Sequence, residues 1–399
     1  MWLAEVDPIH AVALFFCGIW VFVLVFLLWT ARSLPRLREE TATLSCDAER
    51  WPRLSIIVPA CNEAGHVERS VSTLLAQDYP DAEVIAIDDR SSDATGEILD
   101  RLAQADARLR VRHITELPRG WLGKVHALHQ GVQSATGDWY LFTDADVYFA
   151  PGALRRAVCY ARHQRADHLA CVPRLVAGGF WVNVAMTTFG MLFLLTTRAP
   201  LVNRPNSRTP VGIGAFNLVK VEMFRRTPGF EWLRMEPADD YGLGLMINEA
   251  GGRTRLVAAE EDVSVPWYES LRDMIRGVEK NAFGPGAQYR WWRLLPMVAI
   301  LWGLAAAPVV ALVAGIAAHS GILLGAAGAV IAGHIALALP GPSKRGDADL
   351  GVLFLPLGML VVSVMMLRSA YRCTRNGGID WRGTHYSIAE LRAGQRVRL

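Results

Sequence analysis

The chain has 399 residues, of which 52% are apolar and 20% charged, and its net charge is +3. That balance excludes a strongly basic nucleic-acid-binding surface and is too apolar for a wholly soluble protein, so part of the chain is expected in lipid. The length accommodates one catalytic domain of roughly 200–260 residues and a few transmembrane helices.

Residues 11–29 form an uncharged run long enough to cross a hydrocarbon core, too long and bulky for a signal-peptide core. Acidic Glu5 and Asp7 precede it, and Arg32, Arg36 and Arg38 follow it, so the positive-inside rule puts everything after Arg32 in the cytoplasm. Residues 53–160 then alternate strand and helix patterns. LSIIVPA (54–60), EVIAIDD (83–89), RLRVRHI (108–114) and DWYLFTDAD (138–146) read as strands, with helical stretches near 64–76, 93–105 and 122–134. Nearly continuous apolar runs in the first, second and fourth mark strands covered on both faces, in a mostly parallel, doubly wound α/β sheet. Ligands on such sheets sit at the carboxyl ends of the strands.

Residues 178–200 are apolar but carry Asn183 and several threonines, and are expected to lie at the interface rather than to span. Three further apolar runs, 294–318, 321–340 and 350–367, predict two to three C-terminal spans. If all three span, the basic tail from Arg368 lies outside, which the positive-inside rule opposes; the loop with Lys344 and Arg345 also prefers the inside. One run is therefore open to being re-entrant or interfacial. Alanine and glycine at 303–333 predict closely packed helices. The domain boundaries expected are an anchor at 1–31, a catalytic domain at 50–290, C-terminal helices at 294–370 and a tail at 371–399. Six scattered cysteines (Cys17, Cys46, Cys61, Cys159, Cys171, Cys373) form no disulfide or zinc pattern and read as reduced thiols.

Four local features carry chemistry. AIDDRSSDAT (86–95) places Asp88 and Asp89 at a strand end, where carboxylates accept hydrogen bonds from a base and ribose; a plain helix cap by Ser92 or Asp93 is the alternative. Asp144-Ala145-Asp146 follows an apolar strand, and one or two carboxylates bridging a hard cation to phosphates is the usual Mg²⁺ or Mn²⁺ arrangement. Arg119-Gly120-Trp121-Leu122-Gly123-Lys124 opens a helix with a lysine suited to a phosphate, or merely solvated. Glu236-Pro237-Ala238-Asp239-Asp240-Tyr241 clusters carboxylates, and like charges raise the pKa of a carboxyl that must act as a base; acidic decoration of a helix start is the bland reading.

In this order, the motifs resemble the family 2 glycosyltransferases of the GT-A fold, which are inverting enzymes. The matching residues are Pro59-Ala60-Cys61-Asn62-Glu63, Asp88-Asp89-Arg90-Ser91-Ser92-Asp93, Asp144-Ala145-Asp146 and Ala238-Asp239-Asp240-Tyr241. Gly120-Trp121-Leu122-Gly123-Lys124 with Ala127, Leu128 and Gly131 is most similar to membrane enzymes that glycosylate ceramide, hopanoids or carotenoids. The resemblance implies that Asp89 contacts the donor base, Asp144 the donor and the metal, and Asp146 the metal. It implies that Asp240 is the catalytic base, with Asp239 where glutamate is usual. Pro59, Asn62, Glu63, Asp88, Lys124, Arg290 and Trp291 would complete the donor site. Many relatives carry Gln/Arg-x-x-Arg-Trp; here Gln288-Tyr289-Arg290-Trp291 has its Gln one residue late, which argues against a processive role.

The expectation is an integral protein of a bacterial inner membrane with a cytoplasmic catalytic domain. It would transfer one sugar from a nucleotide-diphosphate sugar, a UDP-sugar first, to a lipid acceptor, using Mg²⁺ or Mn²⁺ and no nucleic acid. A processive polysaccharide synthase is the nearest alternative. A nucleotidyltransferase would show a glycine-rich loop where this chain has PACNEA, and a non-catalytic scaffold would have no need of carboxylates at two strand ends.

Overall fold

The structure, a computed structural model, describes residues 7–44, 51–278, 282–339 and 350–398. Glu5, Cys46, Lys344 and Arg345 lie outside them. The chain forms two compact units: one from Met1–Ser33, Ala177–Thr196 and Tyr268–Asn376, the other from Leu34–Val176, Thr197–Trp267 and Gly377–Leu399.

The second unit is built on a twisted seven-stranded sheet. Its strands are β1 (Leu54–Ala60), β2 (Ala82–Asp89), β3 (Leu109–Ile114) and β4 (Trp139–Phe142), followed by β6 (His168–Val172), β8 (Asn217–Lys220) and β9 (Thr254–Ala258). A small second sheet takes β5 (Tyr148–Phe149), β7 (Arg174–Ala177) and β10 (Val263–Tyr268). The order in the large sheet is β3-β2-β1-β4-β8-β6-β9, parallel except that β8 runs against β4 and β6. All seven residues of β1 are buried, because both faces are covered. Alternation divides those faces: Ile56, Val58, Val84 and Ala86 join the core under the helix Val67–Leu75, while Ile85, Ile87 and Ile114 meet Ala127 of the helix Gly123–Ser134. Gly131 lets that helix approach Ile57 more closely than any Cβ would allow. Edge strand β3 buries only Leu109 and Ile114, which is why its sequence is mixed.

The fourth strand is shorter than its sequence indicates. β4 ends at Phe142, so Asp144 and Asp146 lie on the turn after the strand rather than at its kinked end. The tail also takes regular structure. β11 (Gly378–Trp381) and β12 (Thr384–Ser387) form an antiparallel hairpin, followed by the helix Ile388–Gly394, which a Ser387–Glu390 capping box starts.

Among the described residues the first unit holds four helices long and apolar enough to cross a membrane: Pro8–Ser33, Trp291–Ala317, Gly321–Ala338 and Leu350–Asn376. One is N-terminal and three are C-terminal. The helix Phe180–Thr196 has 17 residues, or about 26 Å, less than the ~30 Å hydrocarbon core. Close packing uses glycines as expected: Gly303 faces Phe16 and Gly333 faces Leu24. Pro308 lacks the N–H that would bond the Leu304 carbonyl four residues earlier; the Trp20 indole N–H donates to that carbonyl instead, at 2.7 Å. Cys17, Cys61, Cys171 and Cys373 are free thiols; Cys159 is disulfide-bonded, which corrects the expectation for that residue.

Candidate active site

From β1 the chain winds to β2 and β3 on one side, then returns to β4 on the other, leaving a crevice at the carboxyl ends of β1 and β4. A narrow cleft opens there, lined among others by Lys124, Asp144, Gly214, Asn217, Asp239 and Asp240. The residues just named come from four separate stretches. Lys124 stands in the first turn of the helix Gly123–Ser134, Asp144 on the turn after β4, Gly214 on the loop before β8, and the Asp239–Asp240 pair at the start of the helix Asp239–Glu249.

Lys124 is the electrostatic centre. Its Nζ lies 2.7 Å from Asp144 Oδ1 and 3.5 Å from Asp239 Oδ2. Burial works against its charge, but Asp144, Asp239 and Asp240 outweigh it and hold the ammonium above the ordinary lysine range. Asp239, 5% exposed, is pushed up to about 7 by burial, against the pull of Lys124. Asp240 is also raised, first by burial, but it is better solvated by peptide groups. Gly214 N–H donates to its Oδ2 at 3.0 Å and Tyr241 N–H to its Oδ1 at 2.7 Å. Each oxygen keeps a lone pair for a further donor.

The Gly214 loop is held from behind. Asn217 Nδ2 donates to Ile213 O at 2.8 Å, and Asn217 Oδ1 accepts from Ile213 N–H at 3.1 Å. Thr143 Oγ1 donates to Ala215 O at 2.8 Å. A Cβ on Gly214 would lie 2.9 Å from Asp144 Oδ2 and 3.6 Å from Asp240 Oδ2, so this glycine keeps open the gap between the two carboxylates. Gly214 and Asn217 were not among the sequence candidates; the signal was the VGIGAFN stretch (211–217), two glycines and a polar residue at the mouth of an apolar strand.

A second cluster lies under the β1 and β2 ends. Asn62, in the left-handed region (φ 55°), receives Ser92 N–H on its Oδ1 at 2.8 Å, and its own N–H donates to Ser91 Oγ at 3.0 Å. Glu63 N–H donates to Thr95 Oγ1 at 2.8 Å. Asp89, 3% exposed, accepts two bonds from Arg90, at 2.8 and 3.1 Å. Asp88 points to the opposite side of the strand, where His113 Nδ1 lies 2.9 Å from its Oδ2; the structure does not bring it to the cleft. Pro59 is buried within β1 beyond the last β4 pair at Ile57, so its missing N–H leaves no β4 bond unmade. Arg290 and Trp291 belong to the other unit. There Arg290 precedes the helix Trp291–Ala317, and the Trp291 indole donates to Thr374 Oγ1 at 3.0 Å. Glu236, third member of the acidic cluster, is fully buried; the Ala238, Arg396 and Val397 amides donate to its carboxylate, so it anchors the chain end.

Among the described residues no three His, Cys, Asp or Glu side chains form a ready-made cation cage. Asp146 nevertheless sits among negative charge: burial, then Asp144 and Glu63, push its carboxyl up to about 7. A divalent ion shared between these hard oxygens and a ligand's diphosphate fits that charge, whereas an all-protein site does not.

The profile described as Glycosyl transferase family 2 matches residues 55–227. The chain carries a family 2 glycosyltransferase domain. It is 33% identical over 120 residues to an uncharacterized glycosyltransferase, EpsJ, of Bacillus subtilis, covering 30% of this chain and 33% of that one. It is 32% identical over 103 residues to GalNAc(5)-diNAcBac-PP-undecaprenol beta-1,3-glucosyltransferase of Campylobacter jejuni, covering 26% and 32%. It is 29% identical over 202 residues to chondroitin synthase of Pasteurella multocida, covering 51% and 19%. The chain thus matches about a third or less of the length of these relatives. A solved structure, the mannosyltransferase PcManGT from Pyrobaculum calidifontis in complex with GDP-Man and Mn²⁺, is similar with a TM-score of 0.55 and 22% identity, over 90% of this chain and 99% of that one. That likeness is one of fold, and the doubly wound sheet with its apolar helices is the GT-A architecture expected.

Proposed function

We propose that the protein is an inverting glycosyltransferase that moves a single sugar from a nucleotide-diphosphate sugar to a lipid acceptor at the membrane. The observation that carries this reading is the convergence of Lys124, Asp144, Asp239 and Asp240 on one cleft at the switch point of a family 2 domain. Asp240 is the base. Its carboxylate is fixed by two peptide N–H groups, and burial raises its proton affinity toward that needed to take a hydroxyl proton. The deprotonated acceptor oxygen bonds to the anomeric carbon as the carbon–oxygen bond to the diphosphate breaks on the opposite face, so the centre inverts. Lys124 is placed to accompany the diphosphate, and Asp239 keeps that ammonium charged and oriented. Asp146 with Asp144 would hold a divalent ion, which when bound neutralises charge on the leaving diphosphate. Asp89 and the 61–63 loop would take the nucleoside end.

The donor base is proposed only as a nucleoside diphosphate: the initial expectation is UDP, while the solved structural neighbour holds GDP-Man. A processive synthase is a second reading, favoured by the Pasteurella similarity. The test is release of nucleoside diphosphate from UDP- and GDP-sugars by protein in lipid micelles, with and without Mn²⁺ or Mg²⁺, and sizing of the lipid product. Turnover of one donor, lost by 10²–10⁴-fold in Asp240→Asn, supports the reading. Products longer than one sugar select the synthase, and no turnover with membrane lipids present overturns both.

Chain connectivity bears on orientation. The catalytic unit is one body drawn from three stretches, and a charged, sheet-based body stays on one side of a bilayer. Each excursion from it must therefore cross an even number of times. Phe180–Thr196 would turn back without crossing, and one of the three C-terminal apolar helices would not span. We place the unit in the cytoplasm from Arg32, Arg36 and Arg38. Thiol labelling of single cysteines introduced at Arg38 and Arg398 in sealed vesicles tests this: both should react only from the cytoplasmic side.

A further inference from the structure

The tail hairpin reaches all three loops assigned above to the donor. At its tip Arg382 and Gly383 both take positive φ (51° and 78°), the two-residue turn whose twist suits a hairpin. An arginine is disfavoured at such a φ. Its guanidinium donates to the Cys61 carbonyl and pairs with the Glu63 carboxylate, on the loop after β1. Thr384 Oγ1 accepts from Arg90 Nη1 at 3.2 Å, after β2. Tyr386 OH, buried, accepts from Gly123 N–H at 3.3 Å; that amide is one of those a helix start leaves without a partner, and it adjoins Lys124.

We infer that the hairpin Gly378–Ser387 is a fixed wall of the nucleotide subsite, with Arg382, Thr384 and Tyr386 as positioning residues for donor binding. Three observations join in this. Both oxygens of Asp89 accept from Arg90, which at the same time donates to Thr384, so the hairpin holds the guanidinium that orients Asp89 while each oxygen keeps a lone pair for a nucleobase N–H. Glu63, on the loop after β1, is held by its ion pair with Arg382 at the hairpin tip. A Cβ on Gly123 would collide with the Asp89 carboxylate, so the loop that Tyr386 pins lies directly against Asp89. Displacing the hairpin would thus loosen the Asp89, Glu63 and Lys124 stretches together, 260 to 320 residues away in sequence.

The inference rests on the proposed transferase reading, and kinetics separate the two. Arg382→Ala, Thr384→Val and Tyr386→Phe are compared with the wild type and with Asp380→Ala, which removes only the exposed His385–Asp380 pair of the same hairpin. Donor KM should rise about tenfold in Arg382→Ala and three- to tenfold in the other two. The inhibition constant of the free nucleoside diphosphate should rise in parallel, with kcat within threefold and acceptor KM unmoved. Asp380→Ala should match the wild type, and Arg382→Lys should recover part of the Arg382→Ala loss. Lower thermal stability with unchanged donor KM would make the hairpin a structural clamp and overturn the inference while the transferase stands. A wild type that neither turns over a donor nor binds UDP or GDP overturns the reading, and the inference with it.

Discussion

Replacing Lys124 with methionine keeps most of the apolar stem and removes the charged ammonium with its donors, and the structure sets how the damage depends on pH. Two partners lose their cation. Asp144, whose side chain is 36% exposed, is screened by solvent, so its 2.7 Å pair is discounted to about 1 kcal/mol at any pH near neutral. Asp239, whose side chain is only 7% exposed, behaves differently. Its folded pKa of about 7 lies above the unfolded value of 3.8, so the folded state binds the extra proton and stability falls as pH rises between those values. At pH 7 the carboxyl is already about half protonated, so losing Lys124 adds less than about 1 kcal/mol through this group. At pH 8.5 the wild type has ionised it against Lys124, whereas the variant must keep it neutral, adding about 2 kcal/mol. The total is therefore between about 1 and 2 kcal/mol at pH 7 and about 3 kcal/mol at pH 8.5. With about 2–4 °C per kcal/mol for a domain of this size, the Tm gap should widen from about 3–6 °C to about 6–12 °C. Thermal unfolding of both proteins in detergent micelles at pH 6, 7 and 8.5 measures it. A gap independent of pH would refute the account of Asp239 as the proton reservoir of the site, and adding Asp239→Asn to the variant should flatten the pH dependence.

Other changes act at separate points. Gly214→Ala puts a Cβ 2.9 Å from Asp144 Oδ2, and steady-state assays below the Tm should show kcat reduced by about 10–100-fold. Glu236→Gln turns an amide NH₂ toward one of three peptide donors, and is expected to cost about 1–3 kcal/mol and speed proteolysis at Arg396 and Arg398. His168, fully buried between Asn217 and Thr254, has its pKa lowered to about 4 by burial. Its stability contribution is whole above about 6.5 and is lost as pH falls toward 4, amounting to about 3 kcal/mol. His168→Gln should remove that part of the acid slope in a Tm-versus-pH series. Because burial holds Asp240 above the ordinary aspartate range, the acid limb of the kcat profile should lie above pH 4, and a limb at or below it would count against Asp240 as base.

The sequence by itself determined the features whose signal is local. Continuous apolar runs announced β1 and β2, because a strand covered on both faces has no polar side to show. Their ends located Asn62, Glu63 and Asp89, and hydropathy found the four long apolar helices from length alone. Only the tertiary structure decided which acidic residues serve the cleft and which serve the frame. Asp88 and Asp89 are neighbours on opposite faces of one strand, one bound to His113 and the other to Arg90. Glu236 reads like Asp239 and Asp240, yet two of its three peptide partners lie about 160 residues away. In the basic tail, Trp381–Tyr386 reads either as a source of donor or acceptor contacts or as a bland amphipathic run, and only the fold brings Arg382 to Glu63 across 319 residues within the sheet unit. Side-chain spacing along an element is written in the local pattern of the chain. The pairing of distant loops depends on the order in which strands enter the sheet, and no single stretch of sequence carries it.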